Sequence, residues 1–202
     1  MFKSISIYFI AFITGFVLMG YEILGIRILA PYFGSSSYVW GALISTFLMG
    51  LSIGYIFGGR IADKNCSFKR LGYLIFCALI FIMPISFFGA PLCKLFSTLN
   101  LDIRYSALLT SIVIFIVPCI CLGGVTPYLS KLLVKDIKFI GKNVGNVFAA
   151  SSIGSIIGTL FVSFYMIRYV GTRSGILLLC LPLVVSIVVV YISSLLRVDI
   201  IE

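Results

Sequence analysis

The chain has 202 residues, of which 61% are hydrophobic and 10% charged, so it cannot supply the charged surface that a soluble domain needs. Its net charge of +9 comes from basic residues between apolar runs, whereas a nucleic-acid-binding protein would cluster them. The absence of histidine excludes histidine-based catalysis, histidine-ligated zinc and imidazole proton transfer.

Long apolar runs divide the chain into six predicted membrane spans, each long enough to cross a hydrocarbon core of roughly 30 Å. The first run is too long for a signal peptide and lacks a small-residue cleavage site, so we expect a retained helix. The expected fold is therefore an all-α integral membrane protein, with residues 1–202 forming one transmembrane domain. The predicted spans are about 5–30, 38–58, 71–92, 105–122, 143–167 and 175–196.

Two charged residues lie in the first span. Counting 1.5 Å per residue from its centre, Glu22 lies about 7 Å outward and Arg27 about 15 Å outward. Arg27 can extend to the outer interface, whereas Glu22 cannot. A carboxylate at membrane depth costs about 2.5–3.5 kcal/mol and normally faces a cavity or partner. We expect Glu22 to be a cation or proton site with Arg27 at its outer mouth. Alternatively, Glu22 only forms a hydrogen bond to a neighbouring helix.

Aromatic residues near these charges complete the predicted substrate site. A cation held between a carboxylate and aromatic faces would use Tyr21, Tyr32 and Trp40. The alternative is an aromatic belt at the membrane interface, which we favour for Tyr38 and Trp40.

The loop after the second span, GGRIADKNCSFKR, resembles the loop between spans two and three of the major facilitator superfamily. A glycine there permits a tight helix end, and an aspartate can pair with basic groups. The glycine that normally precedes the second basic pair is missing, and a plain basic loop is the alternative. The predicted conformational loop consists of Gly59, Arg60, Asp63 and Lys64.

The stretch PCICLGGVTPY, residues 118–128, predicts a break in the fourth helix or at its end, whose freed carbonyls can coordinate cations. The alternative is a simple kinked helix end. Six cysteines occur without a CxxC pair, and most lie in apolar runs, so we expect small packing residues and no metal site or cofactor.

The second and fifth spans carry glycines at identical spacing, and a Pro-Tyr pair precedes each, at Pro31 and Pro127. Small residues four apart are common in membrane helices, which is the alternative explanation. A true repeat would relate spans one to three to spans four to six. Because three is odd, the units would have opposite orientations, giving the 3+3 inverted repeat found in each half of a major facilitator superfamily transporter. The repeated glycines are Gly41, Gly50 and Gly54, then Gly145, Gly154 and Gly158.

The loops determine the predicted orientation. With the N-terminus in the cytoplasm, ten basic residues lie inside and five outside, so we expect both termini in the cytoplasm of a bacterial inner (plasma) membrane. The inner residues are Lys3, Arg60, Lys64, Lys69, Arg70, Lys131, Lys135, Lys138, Lys142 and Arg197, and the outer ones are Arg27, Lys94, Arg104, Arg168 and Arg173.

Three stretches together resemble the membrane module of fused major facilitator superfamily and spermidine synthase-like proteins. They begin at Tyr21 (YEILGIRILAPYFGSSSYVWGALISTFLMGLSIGYIFGGRIADK), Gly123 (GGVTPYLSKL) and Gly145 (GNVFAASSIGSIIGT). Members of this family often carry a soluble aminopropyltransferase domain with a glycine-rich loop. This chain has no Gly-x-Gly and only six acidic residues, so we expect no enzymatic activity from it alone.

Two functions follow from these patterns. The first is a half-size transporter for a small cationic solute such as a polyamine, working in the lipid bilayer as a homodimer or with a partner membrane protein. The second is a non-transporting membrane anchor or regulatory module for a separate spermidine synthase-like enzyme.

Overall fold

A computed structural model describes residues 2–64, 66–99, 101–133 and 139–195. The predicted inner basic residues Lys135, Lys138 and Arg197 lie outside these ranges. Within them, six helices are long and apolar enough to cross a membrane, which confirms the expected all-helical set of six spans and implies a lipid bilayer environment. They are α1 (Phe2–Phe33), α2 (Ser37–Lys64), α3 (Phe68–Ser97), α4 (Ile103–Leu133), α5 (Ile140–Tyr169, with a π-helical segment over Val162–Met166) and α6 (Thr172–Leu195).

Short turns join most of the helices, and two of them depend on glycine. Gly34 ends α1 with φ +78°, and Gly171 follows α5 with φ +79°. This left-handed conformation is accessible to glycine without the steric cost that a side chain adds. The Gly34 amide donates to the carbonyl of Ala30 at 2.9 Å, which closes the end of α1. These turns reverse the chain directly, so α1 and α2 run antiparallel, as do α5 and α6.

Helix α4 is continuous through both of its internal prolines, Pro118 and Pro127, and continues to Leu133. The expectation of a break in residues 118–128 is therefore wrong. Membrane helices tolerate proline where neighbouring helices support the backbone. Here α2 packs along α4, and the glycines of α4 come against it: a methyl group on Gly123 would lie 3.1 Å from the Cα of Leu51. A continuous helix preserves this contact.

Two tight helix pairs form the bundle: α2 packs along α4, and α1 packs along α5. Glycines permit both contacts, because a methyl group on Gly54 would lie 2.5 Å from the carbonyl oxygen of Ile120, and one on Gly158 would overlap the carbonyl oxygen of Phe16. Helix α3 packs on α4 and α6, and α6 also packs on α1. The two tight pairs touch each other less, which leaves room between them.

Different contacts hold the two ends of the bundle. At the end where α1 terminates, the guanidinium of Arg104 lies 4.3 Å from the centre of the Tyr38 ring, and that of Arg173 lies 4.4 Å from the Phe87 ring. At the opposite end, the Tyr128 hydroxyl accepts from the amide of Ser67 at 2.9 Å and donates to its carbonyl at 3.0 Å. These bonds attach α4 to the α2–α3 connection.

Candidate functional site

A cavity of about 150 Å³ lies between the two tight helix pairs, and all four of their helices line it. Its wall combines hydroxyl groups with small and aromatic residues. The lining residues are Thr14, Gly15, Leu18 and Met19 of α1, Leu51 and Tyr55 of α2, Leu122, Gly123 and Thr126 of α4, and Phe148, Ser151, Ser152 and Ser155 of α5.

Two of the cavity hydroxyls donate a hydrogen bond to a backbone carbonyl group of the protein. Thr14 donates to the carbonyl of Ile10 at 2.9 Å, and Ser155 of α5 donates across the helix pair to the carbonyl of Gly15 at 3.2 Å. A hydroxyl that donates its proton keeps acceptor lone pairs. These two side chains therefore contribute hydrogen-bond acceptors.

The other four cavity hydroxyls are unpaired. Among the described residues, the side chains of Tyr55, Thr126, Ser151 and Ser152 make no hydrogen bond. Thr126 is buried and Ser151 half-buried, whereas Tyr55 and Ser152 are more exposed. Hydroxyls at membrane depth cannot rely on bulk water, so a polar occupant of the cavity would give them partners. Four of them around one cavity favour occupation by polar molecules.

An aromatic pair borders the cavity on the side where α5 begins. The rings of Tyr55 and Phe148 meet edge to face with centroids 6.4 Å apart, and they join α2 to α5. The small residues lie deeper: a methyl group on Gly15 would overlap the carbonyl oxygen of Ser151. The space therefore results from small side chains at the centre and larger ones at its border.

Glu22 lies on α1 within one turn of the lining residues Leu18 and Met19, and its side chain is half-buried. Cys119 of α4 lies within electrostatic range of its carboxylate. In the part of the chain that the structure describes, Glu22 makes no hydrogen bond and no ion pair. It is thus a carboxylate in a membrane helix without a fixed partner.

Arg27 and Trp40 lie together in a different cavity of about 320 Å³, between the end of α1, the start of α2 and the π-helical part of α5. Ser163 and Ile167 complete its α5 side. Glu22 is absent from this lining. The structure thus brings two of the predicted site residues together but separates them from the carboxylate.

Tyr21 and Tyr32 line neither cavity. Tyr21 is fully buried in an aromatic cluster, 5.3 Å from Phe115 and 5.7 Å from Phe47 between ring centroids. Among the described residues its hydroxyl has no hydrogen-bond partner. Tyr32 is half-buried near the end of α1 and packs against the core.

The predicted conformational loop is helical, because α2 continues to Lys64 and includes Gly59 and Arg60. The expectation that Gly59 ends the helix is wrong. The neighbouring Gly58 explains the difference, since a methyl group there would overlap the carbonyl oxygen of Gly124, so α2 stays in contact with α4 at this level. Asp63 does pair with a basic group, as expected: its carboxylate lies 2.9 Å from the ammonium of Lys131.

The cysteines pack as small apolar residues where they are buried. In the described ranges, no cluster of three or more histidine, cysteine, aspartate or glutamate side chains could hold a metal ion. The buried cysteines are Cys93, Cys119, Cys121 and Cys180.

The hydroxyl-lined cavity contains no charged residue, so no charge in the sequence marks it. The available signal was Ser151, Ser152 and Ser155 within one turn and a half of the fifth span, with Thr14 in the first. Serines at this spacing share a helix face. The packing of α1 along α5 then places Thr14 in the same cavity wall as these serines, which the sequence alone does not indicate.

Comparison of the chain with models of known protein families, with curated proteins and with solved structures finds no match. The resemblance to the fused major facilitator superfamily and spermidine synthase-like proteins therefore stays a prediction from the sequence.

Proposed function

We propose that this protein is a half-size membrane transporter for a small cationic solute such as a polyamine. The observation that carries the proposal is Glu22, a half-buried carboxylate without a fixed partner, within one turn of residues that line a polar cavity. Ionisable residues inside membrane helices commonly mark the pathway of a substrate or ion.

A cation is the solute that this arrangement favours. A purely structural carboxylate would be expected to accept a hydrogen bond or pair with a base, because either contact offsets the cost of its burial. Glu22 has neither among the described residues. An arriving ammonium group would supply the missing partner, and its departure would leave the carboxylate to a proton.

An inverted repeat of three helices is part of the proposal, and the glycine contacts support it. Gly54 packs against the carbonyl of Ile120, and Gly158 packs against that of Phe16. The two contacts are related by a shift of 104 residues. Gly54 of the first contact corresponds to Gly158 of the second, and Ile120 of the first corresponds to Phe16 of the second. The α2–α4 contact is thus related to the α5–α1 contact by one constant offset. An inverted duplication produces this relation, because it exchanges the first unit with the second.

A second pair of contacts has the same offset. Gly58 packs against Gly124, and Gly20 packs against the side chain of Val162. The Pro-Tyr pairs do not share this offset, because Pro31 and Pro127 are 96 residues apart. The glycine contacts therefore support the repeat, and the Pro-Tyr pairs do not.

The proposed working unit is a homodimer or a complex with a partner membrane protein, in a bacterial inner membrane with both termini cytoplasmic. Two exposed polar side chains make no hydrogen bond among the described residues: Ser45 on α2 and Asn146 on α5. Lipid tails cannot pair with these groups, whereas a protein partner can. Gly41 and Gly145, which are also 104 residues apart, have no atom within 4 Å of an added methyl group, so a partner helix can approach closely there.

Binding of a labelled organic amine by the purified protein tests the role of Glu22. Glu22→Gln retains the side-chain shape and removes the charge, so it should abolish binding. Arg27→Lys is the matched control, since Arg27 lines a different cavity and lysine keeps the positive charge; it should bind nearly as the wild type does. Equal affinity of Glu22→Gln and wild type would leave Glu22 as a structural residue. That result would favour the second function, a membrane anchor for a separate enzyme.

A further inference from the structure

We propose that the hydroxyl-lined cavity is a second binding point for the same solute, and that the solute is an organic amine with a second N–H donor at its other end. This inference rests on the proposed function, because it assigns the first amino group to Glu22. The two points lie close together: Leu18 and Thr14 are four and eight residues before Glu22, or roughly 6 and 12 Å along the helix.

The direction of the Glu22 side chain shortens this distance. Side chains on an α-helix tilt toward its N-terminus. On α1 that direction leads from Glu22 toward Leu18 and Thr14, which line the cavity. A linear diamine of four or five carbons can therefore place one nitrogen at the carboxylate and the other in the cavity.

The chemistry of the cavity suits an N–H donor. Thr14 and Ser155 already donate their protons to carbonyl groups, so their oxygen atoms offer only acceptors to a ligand. The hydroxyls of Tyr55, Thr126 and Ser151 make no hydrogen bond among the described residues and can also accept. The Tyr55 and Phe148 rings add the aromatic faces that attract an ammonium group.

The same lining disfavours other ligand classes. It contains no basic side chain, so a phosphate or carboxylate group would lack a cation, whereas hydroxyl oxygens and aromatic faces can receive an N–H donor. Its volume of about 150 Å³ has room for a small group, since a cavity of about 150 Å³ can hold a molecule the size of benzene.

The proposed inverted repeat relates the same two points to each other. Thr126 lies 104 residues after Glu22, the offset that relates the glycine contacts. Under that repeat, Glu22 on α1 and Thr126 on α4 occupy corresponding places. One lies beside the cavity, and the other lines it.

Equilibrium binding of pentylamine and 1,5-diaminopentane to the purified protein tests this inference. We expect the wild type to bind the diamine at least tenfold more tightly than the monoamine. The double variant Thr126→Val with Ser151→Ala removes two cavity hydroxyls and retains the side-chain volumes closely. It should lower diamine affinity to the monoamine value and leave monoamine affinity unchanged, which also shows that it folds.

Thr110→Val is the matched control, because Thr110 is buried, donates to the carbonyl of Ser106 at 2.7 Å and lies outside the cavity lining. It should keep the tenfold preference for the diamine. Equal wild-type affinity for the two amines, or equal weakening of both by the double variant, would overturn the second binding point while Glu22-dependent binding still supported the proposed function. Absence of binding of either amine would overturn both.

Discussion

Replacing Gly54 with alanine should destabilise the bundle, whereas the same change at Gly41 of the same helix should not. The added methyl group at Gly54 would lie 2.5 Å from the carbonyl oxygen of Ile120 and 3.0 Å from the amide nitrogen of Gly124, and both are backbone atoms that cannot rotate away. Ordinary contact begins near 3.4 Å, so α2 and α4 must separate by roughly 1 Å at this point.

The magnitude follows from two opposing terms. Overpacking of this kind costs typically about 1–3 kcal/mol. Alanine is favoured over glycine inside a helix by up to about 1 kcal/mol, which offsets part of that cost. Gly54→Ala should therefore lose up to about 2 kcal/mol of stability. At Gly41 no atom lies within 4 Å of the added methyl group, so only the favourable term applies.

Thermal unfolding of the purified variants in one detergent measures this difference. At roughly 2–4 °C per kcal/mol for a chain of this size, Gly54→Ala should melt several degrees below Gly41→Ala. Gly158→Ala, which meets the Phe16 carbonyl in the corresponding way, should resemble Gly54→Ala. Equal melting temperatures for Gly41→Ala and Gly54→Ala would refute the proposed role of glycine in the α2–α4 contact.

Tyr128→Phe should lower stability by about 1–3 kcal/mol, because it leaves the Ser67 amide without its partner and removes one of two donors to the Ser67 carbonyl; unchanged thermal unfolding would contradict this. Tyr21→Phe should be neutral or stabilising in the same assay, since its buried hydroxyl has no partner among the described residues; a clear loss would show that this hydroxyl is bonded. Cys66, alone on a cysteine-free background, should react with an impermeant thiol reagent only from the cytoplasmic side, and labelling in intact cells would reverse the proposed topology.

Hydropathy sufficed to predict the six helices, because the cost of exposing backbone groups to lipid makes every long apolar run a helix. It was less informative about helix ends. The fourth apolar run weakens near Leu122, yet α4 continues to Leu133 because packing against α2 and the bond from Tyr128 to Ser67 stabilise the added turns. Tertiary contacts of this kind have no local signal in the sequence.

The candidate site was predictable only in part. A carboxylate in a membrane span is conspicuous, and Glu22 was found for that reason. The hydroxyl-lined cavity was missed, because serine and threonine are common in membrane helices and acquire meaning only when helix pairs bring them together. Tyr21 shows the reverse error: its position beside Glu22 suggested a shared site, but neighbouring residues on a helix point in different directions, and Tyr21 lies in the aromatic core.

Uptake of a labelled diamine into liposomes tests the central claim most directly. Purified wild-type protein should produce saturable uptake that unlabelled diamine inhibits, while Glu22→Gln, reconstituted at equal density and with unchanged thermal unfolding, should match empty liposomes. Uptake by Glu22→Gln equal to that by the wild type, or none above empty liposomes for the wild type, would contradict a carrier that depends on this carboxylate.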